Sequence, residues 1–314
     1  MTELMYMQPD KTLITIRDNE RLIEEFILDM IITPGRLAHK WAAVTNQTPN
    51  LKIGYPAQHL ASLITGMKGT ATGARGNDIV DGSEVKACSK VDQLDKCRNC
   101  GRGVLRSSVV CPYCGSKDIT RNNDSKWLIA VRSADELRML LEETPRFIFI
   151  VTDYPGFDDN NFSDIRIRAF EVWVKSERCK RFRELLENYY KFIYMEHIGS
   201  NSTQTPAPKN LWPDKFPFYM CNPIKVFECL IENFLSGKPS IKIVHYTAPD
   251  ISREKLPSEI MPASLLHKDE LNMLQSRGFD ITPDGYIDES MRSYLQLRDT
   301  DKTIKIIGTK KHKH

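Results

Sequence analysis

The chain has 314 residues, 41% hydrophobic and 27% charged, with 16 Gly and 17 Pro, a composition that excludes collagenous and disordered classes. Its length suggests two or three structural units with ample apolar material for a core. A formal net charge of only +3, from 44 basic and 41 acidic residues, excludes global basicity as the sign of a nucleic-acid partner.

Residues 1–66 read as a helical N-terminal region packing on a core. Leu22, Ile23, Phe26, Ile27, Met30 and Ile31 fall on one helix face, which Pro34-Gly35 is expected to stop,. Further helices are predicted from 36 to about 45 and from 56 to 64. Gly66, Gly69, Gly73 and Gly76 then punctuate a flexible approach to NDIVDGSEVKACS. There Ile79-Val80 and Val85 flank Asp81-Gly82-Ser83, which reads as a tight hairpin,. Strands are predicted at 127–131, 147–151 and 165–174, with a helix at 134–143 and a long helix from 177 to about 197. That order indicates an α/β unit over 67–198 with a mixed sheet flanked by helices. Residues 199–216 read as a Pro/Ser/Thr linker,. The C-terminal region, 199–314, reads as α+β and suits DNA recognition or dimerisation. It has a helix near 224–235, a strand at 241–246 and helices near 268–276 and 288–297. The basic tail at 310–314 is expected to be disordered.

The longest aliphatic-aromatic run, 147–151, is far short of the roughly 20 residues a membrane helix needs. Glu3 and Asp10 interrupt any secretory opening,. The expectation is a soluble, cytoplasmic protein with no membrane partner.

Cys97, Cys100, Cys111 and Cys114 form CRNCG…CPYCG. In each knuckle the Gly lets the backbone turn toward the thiolates, and four thiolates match a closed structural zinc site. Free thiols or a redox pair are the competing reading. Val104-Leu105 and Val109-Val110 are expected to make the ribbon hairpin, in an insert at 95–118. Cys88, Cys179, Cys221 and Cys229 are scattered and read as buried thiols,.

Asp78, Glu84 and Lys86 fit D-x(n)-E-x-K, the pattern of metal-dependent nuclease sites. Two residues apart on a strand, Glu84 and Lys86 share a face. A three-residue loop pairs Val80 with Glu84 and Asp78 with Lys86, whereas a two-residue loop throws Asp78 to the opposite face. Two carboxylates and the Val85 carbonyl make an oxygen site for Mg²⁺, and the lysine can orient or deprotonate a water. Any amphipathic strand with a Glu-Lys pair also matches. No P-loop, dinucleotide fingerprint, H-E-x-x-H or G-x-S-x-G occurs,. His39, His59, His197 and His245 are isolated and read as packing or surface residues.

Between Arg166 and Lys191 stand 8 Lys/Arg against 4 Asp/Glu. Arg166, Arg168, Lys175, Arg178, Lys180, Arg181 and Arg183 are phosphate contacts or a solvated face. The stretch from Lys268 to Leu297 reads as a helical pair covering the sheet. The other reading is a helix–turn–helix aiming Arg292 and Arg298 at a groove.

From Gly54 to Cys114 the chain resembles type II restriction endonucleases of the MamI type. The resemblance implies a PD-(D/E)xK nuclease core with a zinc-binding insert. It aligns Asp78 with the first acid, Glu84 with the second and Lys86 with the lysine. Asn77 stands where that motif has Pro, and Asp81 is a second candidate for the first acid. Also implied are a bacterial source, Mg²⁺-dependent cleavage of double-stranded DNA at interrupted palindromes, and a cognate DNA methyltransferase as companion. Cutting two antiparallel strands at a palindrome suggests a homodimer. A zinc-ribbon DNA-binding or repair-associated protein without nuclease activity is the alternative, and a zinc-stabilised interaction protein a third.

Overall fold

Five strands lie side by side in chain order: β1 (Glu84–Ser89), β2 (Arg146–Asp153), β3 (Ile165–Trp173), β4 (Ile224–Glu232) and β5 (Ser240–Tyr246). β1 runs parallel to β2, and the other neighbours pair antiparallel. The computed structural model describes residues 19–45, 47–49, 53–71, 77–106, 108–200 and 206–298. Expectations for 1–18, for 72–76 of the glycine run, for 201–205 of the linker and for the basic tail lie outside the described residues.

All eight residues of β2 are buried, as are all but Arg166 of β3. Strands covered on both faces read as continuous apolar runs rather than alternating ones. On one face, Phe147 and Phe149 meet Phe182 of α4 (Lys180–Tyr189), with ring centroids 4.9 and 6.0 Å away. The N-terminal helices α1 (Asn19–Ile27) and α3 (Gly54–Thr65) also pack on the sheet, α1 against β5 and α3 against β1 and β2. Asn19 of α1 donates to the Tyr246 hydroxyl of β5 at 2.8 Å.

Four expectations are corrected. Pro34-Gly35 does not stop the first helix: the helical path continues through a π turn, Leu28–Ile32, into α2 (Thr33–Thr45). There Thr33 N–H reaches the Leu28 carbonyl, and this wider turn accommodates a proline that would otherwise crowd an α-helical carbonyl. Residues 224–232 form strand β4 instead of a helix. Lys225 pairs with Phe170 and Phe227 with Ala169, so Val226 is an extra, bulged residue. The bulge shifts the phase of the apolar alternation and makes the segment mimic helical spacing. The boundary at 198/199 runs through one sheet, since β4 and β5 extend β1–β3. Within the linker, Lys209–Leu211 pairs with Trp127–Ile129, so the strand expected at 127–131 lies outside the central sheet.

The arginines of the basic segment are largely committed internally. Arg166 and Arg168 pair with Asp153, and Arg168 also with Asp214. Arg178 pairs with Glu289, Arg181 with Glu184, and Arg183 with Glu177. Lys175 and Lys180 are exposed. Neither arginine of the C-terminal pair is aimed outward. Buried Arg292 holds Asn222 and the carbonyls of Glu259 and Ile287, while Arg298 pairs with Glu270 and stacks on Phe216. Of the expected helical pair the first member is α5 (Lys268–Ser276), and the second, expected over 288–297, is a single turn at Glu289–Arg292.

Asp92 lines a small cavity among Met30, Ile31, Ile53, Val91 and Phe234. Burial pushes its carboxyl up to about 6, while Ser89 and His39 oppose the shift. Because the folded carboxyl binds its proton more tightly than the unfolded one, the associated stability is present below pH 4 and lost as pH rises through 6,. Asp92→Asn should therefore raise stability at pH 7.5 by about 1–2 kcal/mol, allowing for solvent screening, and change it little at pH 4. Thermal unfolding at both pH values measures this, and an equal effect at both would contradict it.

Candidate functional site

After α3 the chain passes through 68–70, which runs antiparallel to 78–80. Val80 N–H donates to the Lys68 carbonyl at 3.0 Å and Thr70 N–H to the Asp78 carbonyl at 3.1 Å. A tight reversal follows: Gly82 N–H bonds the Ile79 carbonyl, and the N–H groups of Asp78 and Ile79 share the Ser83 carbonyl. The reversal expected at Asp81-Gly82-Ser83 is present. The ladder pairing Val80 with Glu84 and Asp78 with Lys86 is not, and the partner of Ile79 is Gly69. Asp78 reaches β1 by its side chain, Oδ2 accepting from Val85 N–H at 2.7 Å.

On β1, Glu84 Oε1 lies 2.6 Å from Lys86 Nζ, as the two-residue alternation of a strand requires. Lys90 N–H bonds the Thr152 carbonyl of β2, so even-numbered backbone groups of this stretch face β2. A strand residue presents its N–H and C=O on the same edge, so the Val85 carbonyl shares the open edge with Asp78. Asp78 Oδ1 accepts from the Gln58 amide of α3 at 2.5 Å. Burial raises the Asp78 carboxyl above the ordinary range, against the Val85 N–H, Lys86 and Gln58. Burial likewise raises Glu84; Lys86 opposes the shift and the Asp78 charge adds to it. The Asp78 and Glu84 carboxyls are thus near enough for their charges to interact where negative charge is poorly solvated, and oxygen donors of this kind suit a hard cation.

Asp81 is otherwise engaged. Its carboxylate accepts from Ser83 N–H at 2.9 Å and pairs with Arg146 at 3.0 Å. Arg146 also donates to Ser83 Oγ and to Glu171, and Glu171 bridges onward to Arg253 at 2.7 Å. Arg253 in turn donates to the Ile64 carbonyl in α3. Burial alone raises Glu171, but the two guanidiniums outweigh it and hold the carboxyl below the ordinary range. Gln58, Arg146, Glu171 and Arg253 were not singled out by sequence reasoning. Only Gln58 left a signal, because Tyr55, Gln58, His59 and Ser62 recur on one face of α3 and line a cleft of about 360 Å³ with Asp78. His39 and His245 bond the backbone carbonyls of Gly35 and Lys225, as packing residues do.

The Sγ atoms of Cys97, Cys100, Cys111 and Cys114 all lie within 4.8 Å of one another. Gly101 and Gly115 adopt φ of +73° and +71°, a region that favours glycine, and their N–H groups bond the Cys97 and Cys111 carbonyls. The Asn99 amide and Ser116 N–H pull the Cys114 thiol down to about 6, while against the Arg102 N–H, burial and the neighbouring thiols push Cys100 up to about 11. The supporting sheet differs from expectation. Asp95–Cys97 is central between Gly103–Val104 and Ile119–Thr120, and Val109 and Val110 are exposed outside any strand. Fully buried Asp95 ties the unit down through Arg106 and Arg121.

Asp78, Glu84 and Lys86 are brought together at the start of β1, and comparison with known sequences gives the family. The profile of the MamI restriction endonuclease family matches residues 40–264, and the chain belongs to that family. It is similar to the type II restriction enzyme MamI of Microbacterium ammoniaphilum, with 34% identity over 77 residues. That match spans 24% of this chain and only a quarter, 25%, of the relative. No solved structure matches the chain.

Glu171→Ala leaves two buried guanidiniums without their shared partner, and should destabilise the protein by about 3–5 kcal/mol. Urea unfolding measures this; a loss under about 1 kcal/mol would show that the network does not anchor the turn.

Proposed function

We propose that the protein is a type II restriction endonuclease that hydrolyses phosphodiesters of double-stranded DNA at a short, interrupted palindrome, leaving 5′-phosphate and 3′-hydroxyl ends. The observation that carries this reading is the convergence of Asp78, Glu84 and Lys86 at one open strand edge, in a chain of the MamI restriction endonuclease family. Here the sheet is read as a PD-(D/E)xK core, and the C-terminal region as serving recognition or dimerisation. Among the described residues no helix is long and apolar enough to cross a membrane; the family membership is what leads us to read the enzyme as bacterial and cytoplasmic. A cognate methyltransferase is the companion such an activity requires.

Asp78, Glu84 and the Val85 carbonyl would hold Mg²⁺, and their oxygen donors fit it. When bound, Mg²⁺ supplies Lewis-acid polarisation of a phosphoryl oxygen and easier ionisation of a water. Lys86 orients the attacking water and offers its ammonium to the phosphate. Glu84, 2.6 Å away, fixes that ammonium in place. Attack on phosphorus breaks the bond to the 3′ oxygen. Two such events on antiparallel strands are met by two chains about a two-fold axis, which also makes the site palindromic.

Plasmid DNA with Mg²⁺ tests the activity. Discrete fragments support it, retardation without cutting favours a zinc-ribbon DNA-binding protein, and neither outcome leaves an interaction protein. Glu84→Ala and Lys86→Ala should keep binding DNA in Ca²⁺ but lose about 10³-fold or more in cleavage; near-native rates would make the motif a structural strand. Asp78→Ala should be inactive and Asp81→Ala only impaired.

For the four cysteines we propose a structural zinc, since every tetrahedral position has a protein ligand,. Elemental analysis should find about one zinc per chain after gel filtration, and Cys100→Ser or Cys114→Ser should lose it together with stability. Zinc-free native protein would overturn the assignment.

A further inference from the structure

Asp78 differs from Glu84 and Lys86 in how it is held. Those two stand on β1, whereas Asp78 lies in the segment ahead of the tight reversal and reaches β1 only by its carboxylate. Its two side-chain torsions are therefore fixed by what the oxygens bond. Val85 N–H takes Oδ2 at 2.7 Å and the Gln58 amide takes Oδ1 at 2.5 Å. A carboxylate has about four lone-pair sites, so acceptor capacity remains for a cation. The Lys86 ammonium is the competitor, because it attracts Asp78 as well as Glu84. A carboxylate free to turn would collapse onto that ammonium and leave the open edge.

Gln58 is well placed to prevent this. It is held by a helix, not a loop: Ala57, Leu60, Ala61 and Ile64 bury the opposite face of α3. The carbonyl of Ile64 is also tied to Arg253 at 2.5 Å. Among the described residues lining the cleft beside Asp78, none is Lys or Arg, and none but Asp78 is Asp or Glu. An amide there donates to Asp78 without adding charge that would repel or replace a metal.

We infer that Gln58 is a positioning residue of the nuclease site, holding Asp78 off the Lys86 ammonium and turned toward the divalent cation. The inference rests on the proposed reading of Asp78 and Glu84 as metal ligands. Partners that orient a metal ligand typically contribute about 10–100-fold in metal affinity.

The test is Mn²⁺ titration of the full chain, followed by electron paramagnetic resonance, with thermal unfolding as a control. Gln58→Ala should bind Mn²⁺ about 10–100-fold more weakly at unchanged melting temperature. Ser62→Ala, on the same helix face, should bind as the native protein does. Raising Mg²⁺ should restore plasmid cleavage by Gln58→Ala but not by Lys86→Ala, since only the first defect lies in metal occupancy. Native Mn²⁺ affinity in Gln58→Ala overturns the inference. Tighter binding by Gln58→Glu overturns it too, by making residue 58 a direct ligand. Native Mn²⁺ affinity in Asp78→Asn, or no Mn²⁺ binding by the native chain, instead overturns the underlying metal-site reading and the inference with it.

Discussion

The guanidinium of Arg146 joins the sheet to the candidate site. At the start of β2 it pairs with Asp81 and Ser83 of the reversal and with Glu171 on the neighbouring strand, and it stacks on Trp173 at 4.9 Å. Two of its partners are side chains within the three-residue turn ahead of β1. They add side-chain ties to a turn already held by its own backbone bonds and by the 68–70 segment. A charge this deeply buried is tolerable only when opposite charges and hydrogen bonds surround it. Asp81 and Glu171 meet that condition. Glu171 then meets the same need for Arg253, which reaches back to α3. The two elements that hold Asp78, the turn and α3, are thus referred to a common buried ion set.

The parallel pairing of β1 with β2 has its own consequence. Parallel neighbours need a long crossover, and residues 90–145 provide it. The cysteine unit lies within this crossover, anchored by Asp95 between Arg106 and Arg121. The Arg106 guanidinium also lies over the rings of Phe157 and Phe162, at 5.0 and 5.3 Å. The ribbon is thereby fastened to the loop between β2 and β3. Metal at the four thiolates would close a connection whose two ends set the register of β1 against β2.

The arginines of one basic stretch are paired within the fold. The locally basic stretch at 166–191 serves Asp153, Asp214, Glu177, Glu184 and Glu289, and the arginines expected to reach a groove are bonded within the C-terminal region. Five arginines of that stretch are thus engaged within the fold, while Lys175 and Lys180 remain exposed. Counting charges along a chain misses acids such as Asp214 that folding brings in from elsewhere.

Local chemistry made part of this protein legible in its sequence. Cys-x2-Cys-Gly knuckles bring their ligands together over eighteen positions because each knuckle is a local turn,. Glu84 and Lys86 share a face because a strand alternates, and the apolar run at 147–151 and the alternation from Ile165 announced β2 and β3. Three things were decided only by tertiary structure. A bulge at Val226 disguised β4 as a helix, because one extra residue shifts a period of two,. A π turn carried the first helix past Pro34. And Asp78 joined its partners by side-chain bonds to Val85 and Gln58, not by strand register. Gln58 is twenty residues from Asp78 and Arg146 sixty-five from Asp81. Contacts at such separations carry no periodic signature, so they become visible only when the folded core brings their elements side by side.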